Sequence, residues 1–201
     1  MSVTFRFAAV ALVAGSLFHM SAARAQTQQQ KDWCASKNDA TQDQRISSCS
    51  EILQSGAGTE NFRSRVLNNR GNAYKSEGQY DRAIQDYDQA IRLDQNYAVT
   101  FLNRGVAYSG KTQYDHAIQD YDQAIKLNPN SALAFHNRGA AYSKKNEFSR
   151  AIQNYDQAIK LNPDYAAAFY NRAVAKQNNG DEAGAEADVA AAREINPNIG
   201  K

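Results

Sequence analysis

The chain has 201 residues, with 23 lysines and arginines against 21 acidic residues, and two cysteines. Two of the cations lie in the first 25 residues, so the rest of the chain carries equal numbers of both signs. A neutral chain with interspersed signs has no concentrated basic face, which argues against nucleic acid and anionic lipid as partners.

The N-terminus reads as a secretory signal peptide at residues 1–25. The early cation Arg6 is followed by an apolar stretch at 7–18 and by the small-x-small sequence Ala23-Arg24-Ala25. The apolar stretch is shorter than the roughly 20 residues that cross a bilayer, so we expect cleavage before Gln26 and no stable membrane insertion of the mature chain. The protein is therefore expected to be exported, to the periplasm of a bacterium or outside the cell.

Residues 26–63 are predicted to form a helical N-terminal capping segment. The sequence at 45–53 resembles the later segment 83–91, with Cys49 in the place of Tyr87, and a Ser-Gly-Ala-Gly turn follows at 55–58. An exported chain meets an oxidising compartment, so the pair Cys34 and Cys49 favours a disulfide over a metal or redox site. We expect no metal and no cofactor.

Internal repetition dominates the remainder of the chain. The sequence Asn-Arg-Gly recurs every 34 residues at 69–71, 103–105 and 137–139, and a variant Asn-Arg-Ala stands at 171–173. Apolar residues follow helical spacing within each unit, with an interruption at its middle, and proline follows the second helix in the later copies. The pattern predicts four helical hairpins, at 64–97, 98–131, 132–165 and 166–199.

These hairpins resemble tetratricopeptide repeats. The shared residues are a glycine, two tyrosines, an alanine and a proline, as in Gly105, Tyr108, Ala117, Tyr121 and Pro129, although the first unit has Gln95 in place of the proline. The resemblance implies an all-α, right-handed superhelical solenoid of antiparallel helix pairs, whose first helices line a concave groove. Small residues at the glycine position are expected to let paired helices approach closely, and the tyrosines are expected in the core.

The last unit differs from the others along its second helix. It has Glu186, Val189 and Arg193 where earlier units have isoleucine, tyrosine and isoleucine. A polar face of this kind is expected at the exposed C-terminal end of a repeat stack.

A recurring arginine, at 70, 104, 138 and 172, has two interpretations. An aspartate recurs on the second helix of each unit, at 86, 120 and 188, with Asn154 in the third. We predict that each arginine pairs with this side chain across its own hairpin, since a half-buried guanidinium needs a partner. The alternative is a ladder of arginines that reads a ligand. Neighbouring acids such as Asp86 and Asp88 are interpreted as exposed repeat residues that do not converge.

The groove candidates come from the family resemblance. An asparagine precedes each recurring arginine, and its amide is suited either to holding a peptide backbone or to bonding a neighbouring helix. Family members that bind acidic C-terminal tails of heat-shock chaperones use lysine, asparagine and arginine, but here the corresponding places are Asn68, Asn72, Asn103, Leu133 and Asn137. A ligand with apolar side chains is expected instead. The predicted partner-binding residues are Arg65, Asn69, Val99, Asn103, Val106, Leu133, His136, Asn137, Tyr170 and Asn171.

The sequence holds no nucleophile with a spaced histidine and no glycine-rich phosphate loop. It therefore predicts a non-enzymatic adaptor or scaffold that binds a peptide or helix of a partner protein. Two alternatives are open: a structural or oligomerisation module that self-associates, and an accessory subunit of an envelope or polysaccharide-assembly complex.

Overall fold

The computed structural model describes residues 27–32, 34–35 and 39–200, and the predicted signal peptide at 1–25 lies outside them. Helical residues at 27–32 precede nine helices with defined bounds in this described part. These are α1 (Gln42–Gln54), α2 (Glu60–Ser76), α3 (Tyr80–Leu93), α4 (Ala98–Gly110), α5 (Tyr114–Leu127), α6 (Ala132–Lys144), α7 (Phe148–Leu161), α8 (Ala166–Asn178) and α9 (Glu182–Ile195).

Four hairpins, α2–α3, α4–α5, α6–α7 and α8–α9, are closed by tight turns. Each turn has a residue with left-handed backbone at the same repeat position: Gly78 (φ 72°), Thr112 (φ 59°), Asn146 (φ 61°) and Gly180 (φ 86°). A left-handed residue ends a helix and reverses the chain, and glycine and asparagine adopt it at little cost. The second helices end at Leu93, Leu127, Leu161 and Ile195, before the predicted proline positions.

The core of each of the first three hairpins is a tyrosine ring that lies on a glycine. Tyr87, Tyr121 and Tyr155 are fully buried, and a methyl group at Gly105 would lie 2.6 Å from the ring of Tyr121. The same crowding occurs at Gly71 and Gly139. The small residue is thus needed because the ring occupies the adjacent space. Burial raises the pKa of Tyr121 to about 12, in keeping with the predicted core role of this tyrosine.

The stack curves with the first helices inside. Successive first helices (α2, α4, α6, α8) contact one another, whereas among the described elements successive second helices do not. Elements that approach on one side and separate on the other form a curved layer, so the first helices line its concave side. The expected all-α solenoid of stacked helix pairs is confirmed. Within the described residues, no helix is long and apolar enough to cross a membrane.

The N-terminal segment is attached by a disulfide. Cys34 and Cys49 are bonded, with their Cα atoms 5.0 Å apart, and both are buried. Cys49 and Ile52 on α1 cluster with Val66 on α2. The helix α1 therefore packs on α2 as a second helix of one hairpin packs on the first helix of the next.

The C-terminal end of the stack is open. Glu186 and Arg193 on α9 are exposed, in agreement with the predicted polar end. A hollow of about 540 Å³ lies between α8 and α9, bordered by Tyr170, Val174 and Val189 among others.

Candidate partner-binding groove

The concave face carries exposed apolar side chains. Val99 at the start of α4 is 41% exposed, Leu133 at the start of α6 is 48% exposed, and Val174 on α8 is 39% exposed. Three of the five large hydrophobic residues that are exposed in the described part therefore stand on the helices that line this face. A protein surface that exposes several apolar side chains in a row is typical of a site that contacts another molecule.

A shallow hollow lies in the groove between α4 and α6. Its volume is about 240 Å³, and it is lined by Val106, Asn137, Ala140 and the edge of Tyr121 among others. Val106 and Asn137, both predicted groove residues, are thus brought to one depression. Most of its surface is apolar, so it is suited to an apolar side chain with one amide at its rim.

The asparagines that precede the recurring arginines, at 69, 103, 137 and 171, do not all have the same role. Asn103 Nδ2 donates to Asn68 Oδ1 at 3.0 Å, which links α4 to α2, and Asn171 Nδ2 lies 2.9 Å from His136 Nε2, which links α8 to α6. Within the described residues, Asn69 makes no side-chain hydrogen bond. The structure thus supports the neighbouring-helix interpretation for Asn103 and Asn171 and leaves Asn69 available to a ligand.

His136 is the polar centre of the groove between α6 and α8. Its ring lies 4.8 Å from Tyr165 and 5.6 Å from Tyr155, measured between centroids, and its Nδ1 is 3.4 Å from Asn137 Oδ1. Burial lowers the pKa of His136, although hydrogen bonds with Asn137 and the backbone of Ala167 oppose the shift. The ring is therefore neutral at pH 7 and bonds to the amides on either side.

Two predicted residues lie at the ends of the groove. Arg65 Nε donates to Asn61 Oδ1 at 2.9 Å, and its guanidinium lies 4.5 Å from the centroid of the Tyr97 ring. Tyr170 borders the C-terminal hollow, and Gly200 packs against its ring. Within the described residues, neither side chain contacts His136. The predicted groove residues therefore form a row along the concave face and not a single cluster.

The recurring arginines are structural. Arg104 holds both oxygens of Asp120 through Nε (2.9 Å) and Nη2 (2.6 Å), and Arg70 and Arg172 bind Asp86 and Asp188 in the same way. Arg138 Nε donates to Asn154 Oδ1 at 2.7 Å. The predicted pairing across each hairpin is confirmed, and the ligand-reading alternative is wrong because these guanidinium groups are bound internally.

Each later arginine also has a second partner that sequence reasoning missed. Arg104 Nη1 donates to Asp88 of the preceding hairpin at 2.6 Å, and Arg138 and Arg172 bind Asp122 and Asp156. Asp86 and Asp88 do not converge, as predicted, because Asp86 binds Arg70 and Asp88 binds Arg104, but the expectation that Asp86 is exposed is wrong, since it is 3% exposed. In the sequence, one acid lies 16 residues before Arg104 and another lies 16 residues after it, and this symmetric spacing could have indicated both pairs.

Electrostatics at the last hairpin follow from this arrangement. Burial alone would raise the pKa of Asp188, but hydrogen bonds from Arg172 and Lys176 outweigh it and lower the pKa. Asp188 is the main cause that raises the pKa of Arg172. The pair is therefore fully ionised and serves packing. The described residues contain no group of three or more His, Cys, Asp or Glu arranged for a metal ion.

A sequence profile described as "TPR repeat" matches residues 71–111, 111–146 and 141–180, which together cover more than half of the chain. The chain belongs to the tetratricopeptide repeat family. As in any protein of this family, the repeat framework specifies the fold, and partner choice depends on the side chains that the framework leaves exposed. No curated protein matches this tetratricopeptide repeat protein over its sequence.

Solved structures include similar solenoids. MamA from Desulfovibrio magneticus RS-1, from residue 41 to its end, is 17% identical with a TM-score of 0.73, over 89% of this chain and 95% of that one, a likeness of fold alone. The first TPR domain of human RPAP3 is 28% identical with a TM-score of 0.57, over 60% and 94%. The first TPR of Spaghetti (RPAP3), bound to the HSP90 peptide SRMEEVD, is 27% identical with a TM-score of 0.59, over 61% and 97%.

Proposed function

We propose that this tetratricopeptide repeat protein is a non-enzymatic adaptor, exported to the periplasm, that binds an extended peptide or a helix of a partner protein in its concave groove. The observation that carries the proposal is the row of exposed apolar side chains Val99, Leu133 and Val174 on the groove-lining helices. Burial of such side chains against a partner is favourable, and a preformed surface limits the ordering cost.

The polar groups of the groove define the ligand further. Asn69 has both amide functions available, and Asn137 stands beside the hollow that Val106 borders. An extended segment would place apolar side chains on Leu133 and in this hollow while its backbone bonds the amides. RPAP3 was solved with an acidic chaperone peptide; in this chain Asn68 is buried and bound to Asn103, so we propose a different, more apolar ligand.

A capture experiment tests the groove. The chain from Gln26 to Lys201 would be immobilised and exposed to an envelope extract, beside a variant with Val99→Glu and Leu133→Glu. Leu161→Glu is the matched control, because Leu161 is also an exposed leucine, at 36%, but lies at the end of the second helix α7. We expect the partner to be retained by the wild type and the control and lost by the groove variant. Equal retention by all three chains would refute groove binding.

Export is tested separately. Expression of the full chain in a bacterium is expected to yield a periplasmic protein whose mass corresponds to a start at Gln26. A full-length protein in the cytoplasmic fraction would contradict the export proposal without affecting the groove.

Self-association is a second candidate, favoured by the open hollow between α8 and α9. This surface would receive the first helix of a further hairpin if the stack continued, and Val174 and Val189 border it. Light scattering over a range of concentrations distinguishes the two: a constant monomer mass discards self-association, and a mass that doubles supports it.

A further inference from the structure

A cleft on the convex side, between α1 and α3, has a charge that the rest of the stack does not share. Its volume is about 440 Å³, and its floor is α2. Arg63, Arg70 and Arg92 line it, and its other lining residues include Ser50, Gln54 and Leu67 but no carboxylate. The cleft is opposite to the concave groove because two second-helix elements form its walls.

The repeat pattern shows what is missing there. At the next junction, Arg104 Nη1 donates to Asp88 at 2.6 Å, and Arg138 and Arg172 have the same bond to Asp122 and Asp156. The residue of α1 at the equivalent place is Ser50, which follows Cys49 as Asp88 follows Tyr87. Arg70 Nη1 donates instead to the neutral Ser50 Oγ at 3.0 Å.

The first junction has a leucine where the later junctions have a phenylalanine, and among the described residues the guanidinium of Arg70 has only the ring of Tyr74 near it, at 6.0 Å from the centroid. The guanidinium of Arg104 lies 5.7 Å from the ring centroid of Phe101, and Arg138 and Arg172 lie at 5.4 and 5.3 Å from Phe135 and Phe169. Leu67 stands at the equivalent place on α2 and is smaller.

Two further guanidinium groups in the cleft are uncommitted. Within the described residues, Arg63 and Arg92 make no hydrogen bond or ion pair, and the buried Nε of Arg63 has no acceptor. Positive charge that gathers in a cleft without a counter-charge favours an anionic ligand. The residues outside the described part contain no Asp or Glu, so their side chains supply no such carboxylate.

We propose that this cleft binds a carboxylate side chain of an acidic segment of a partner protein, at Arg63 and Arg92 beside Arg70. The carboxylate would accept from the guanidinium groups of Arg63 and Arg92, while Arg70, whose donors are bound to Asp86 and Ser50, adds positive charge beside them. The site is separate from the concave groove. The protein thus has two recognition surfaces, an apolar one in the groove and one in the cleft that binds an acidic segment.

The test uses the purified chain and a fluorescein-labelled peptide of alternating Asp and Ser, followed by fluorescence polarisation at low salt. Gln54→Asp places a carboxylate in the lining of the cleft, and Arg92→Gln removes one cation. Both residues are exposed, so the fold is retained, which circular dichroism checks. We expect each variant to weaken peptide binding by about tenfold, as is typical when a charge-assisted hydrogen bond is lost.

The matched control is Lys126→Gln, which removes the exposed cation at the repeat position of Arg92 on α5. It is expected to bind the peptide as the wild type does, and a peptide of alternating Asn and Ser is expected not to bind. The proposal is overturned if Gln54→Asp binds as tightly as the wild type or if Lys126→Gln weakens binding equally. It is also overturned if an equal concentration of inorganic phosphate displaces the peptide, because the site would then be one for small anions.

Discussion

The junction between α1 and α2 differs from the three later junctions, α3–α4, α5–α6 and α7–α8, in how it is held together. At each later junction one arginine joins acceptors on two successive second helices, as Arg104 joins Asp88 and Asp120. At the first junction Arg70 has one carboxylate, Asp86, and a neutral partner on α1, Ser50, while the disulfide between Cys34 and Cys49 joins α1 to the segment before it. Repetition thus provides electrostatic links between hairpins inside the stack, whereas α1 meets α2 through a hydrogen bond to a neutral hydroxyl and an apolar cluster that contains the disulfide.

The largest expected effect comes from the buried acid of a later junction. Asp120→Ala leaves the half-buried guanidinium of Arg104 without its bidentate partner, and we expect a loss of about 3 kcal/mol in the free energy of unfolding. Asp88→Ala removes the more exposed partner, at 37% side-chain exposure, and is expected to lose less than about 1 kcal/mol. Urea denaturation measures both variants. Equal losses would show that the two acids are equivalent.

Removal of the disulfide tests the N-terminal end of the stack. The bond closes a separation of 15 residues, for which the loss of chain entropy in the unfolded state corresponds to about 3 kcal/mol at most. We expect Cys34→Ser with Cys49→Ser to accelerate amide hydrogen exchange in α1 while α4 to α9 keep their protection. Uniform acceleration along the chain would mean that the first junction is not a separate unit.

A smaller effect is expected where glycine meets tyrosine. Gly105→Ala places a methyl group against the ring of Tyr121, and we expect about 1–3 kcal/mol of destabilisation by overpacking. The last hairpin already combines Ala173 with Val189 at these two places. The double variant Gly105→Ala, Tyr121→Val therefore tests the pairing. We expect its loss of stability to be smaller than the sum of the losses in the two single variants. Additive losses in thermal unfolding would contradict it.

The smallest effect is a pH dependence at the junction of α6 and α8. Because the pKa of His136 is lowered in the folded state, the unfolded chain binds a proton more readily, and stability falls as the pH drops below about 6.5. His136→Asn is expected to flatten this part of the pH profile of the melting temperature. An unchanged profile in the variant would assign the dependence to other groups.

The sequence predicts the architecture well because the repeat is long and gapless. The 34-residue period, the helix ends before proline and the pairing of Arg70 with Asp86 are all readable from registered positions. The start of α2 is not at residue 64 but at Glu60, where Thr59 caps the helix by accepting from the Phe62 amide at 3.2 Å. This cap lies outside the repeated pattern, so periodicity does not reveal it.

The details of the groove could not be predicted in the same way. The bond between Asn171 and His136 joins residues 35 apart on neighbouring first helices, and it depends on how closely those helices approach. Asn69 and Asn103 occupy the same repeat position, yet only Asn103 finds a partner, because α2 offers it Asn68. Whether one of these repeated asparagines is available to a ligand therefore depends on the residues of the neighbouring helix and not on its own repeat.

The central claim is that a partner lies on the first helices, and hydrogen–deuterium exchange of the protein with and without its captured partner tests it most directly. The account predicts that bound partner slows exchange in α4, α6 and α8, around Val99, Leu133 and Val174. Slower exchange confined to the second helices α5, α7 and α9, with the first helices unchanged, would contradict it.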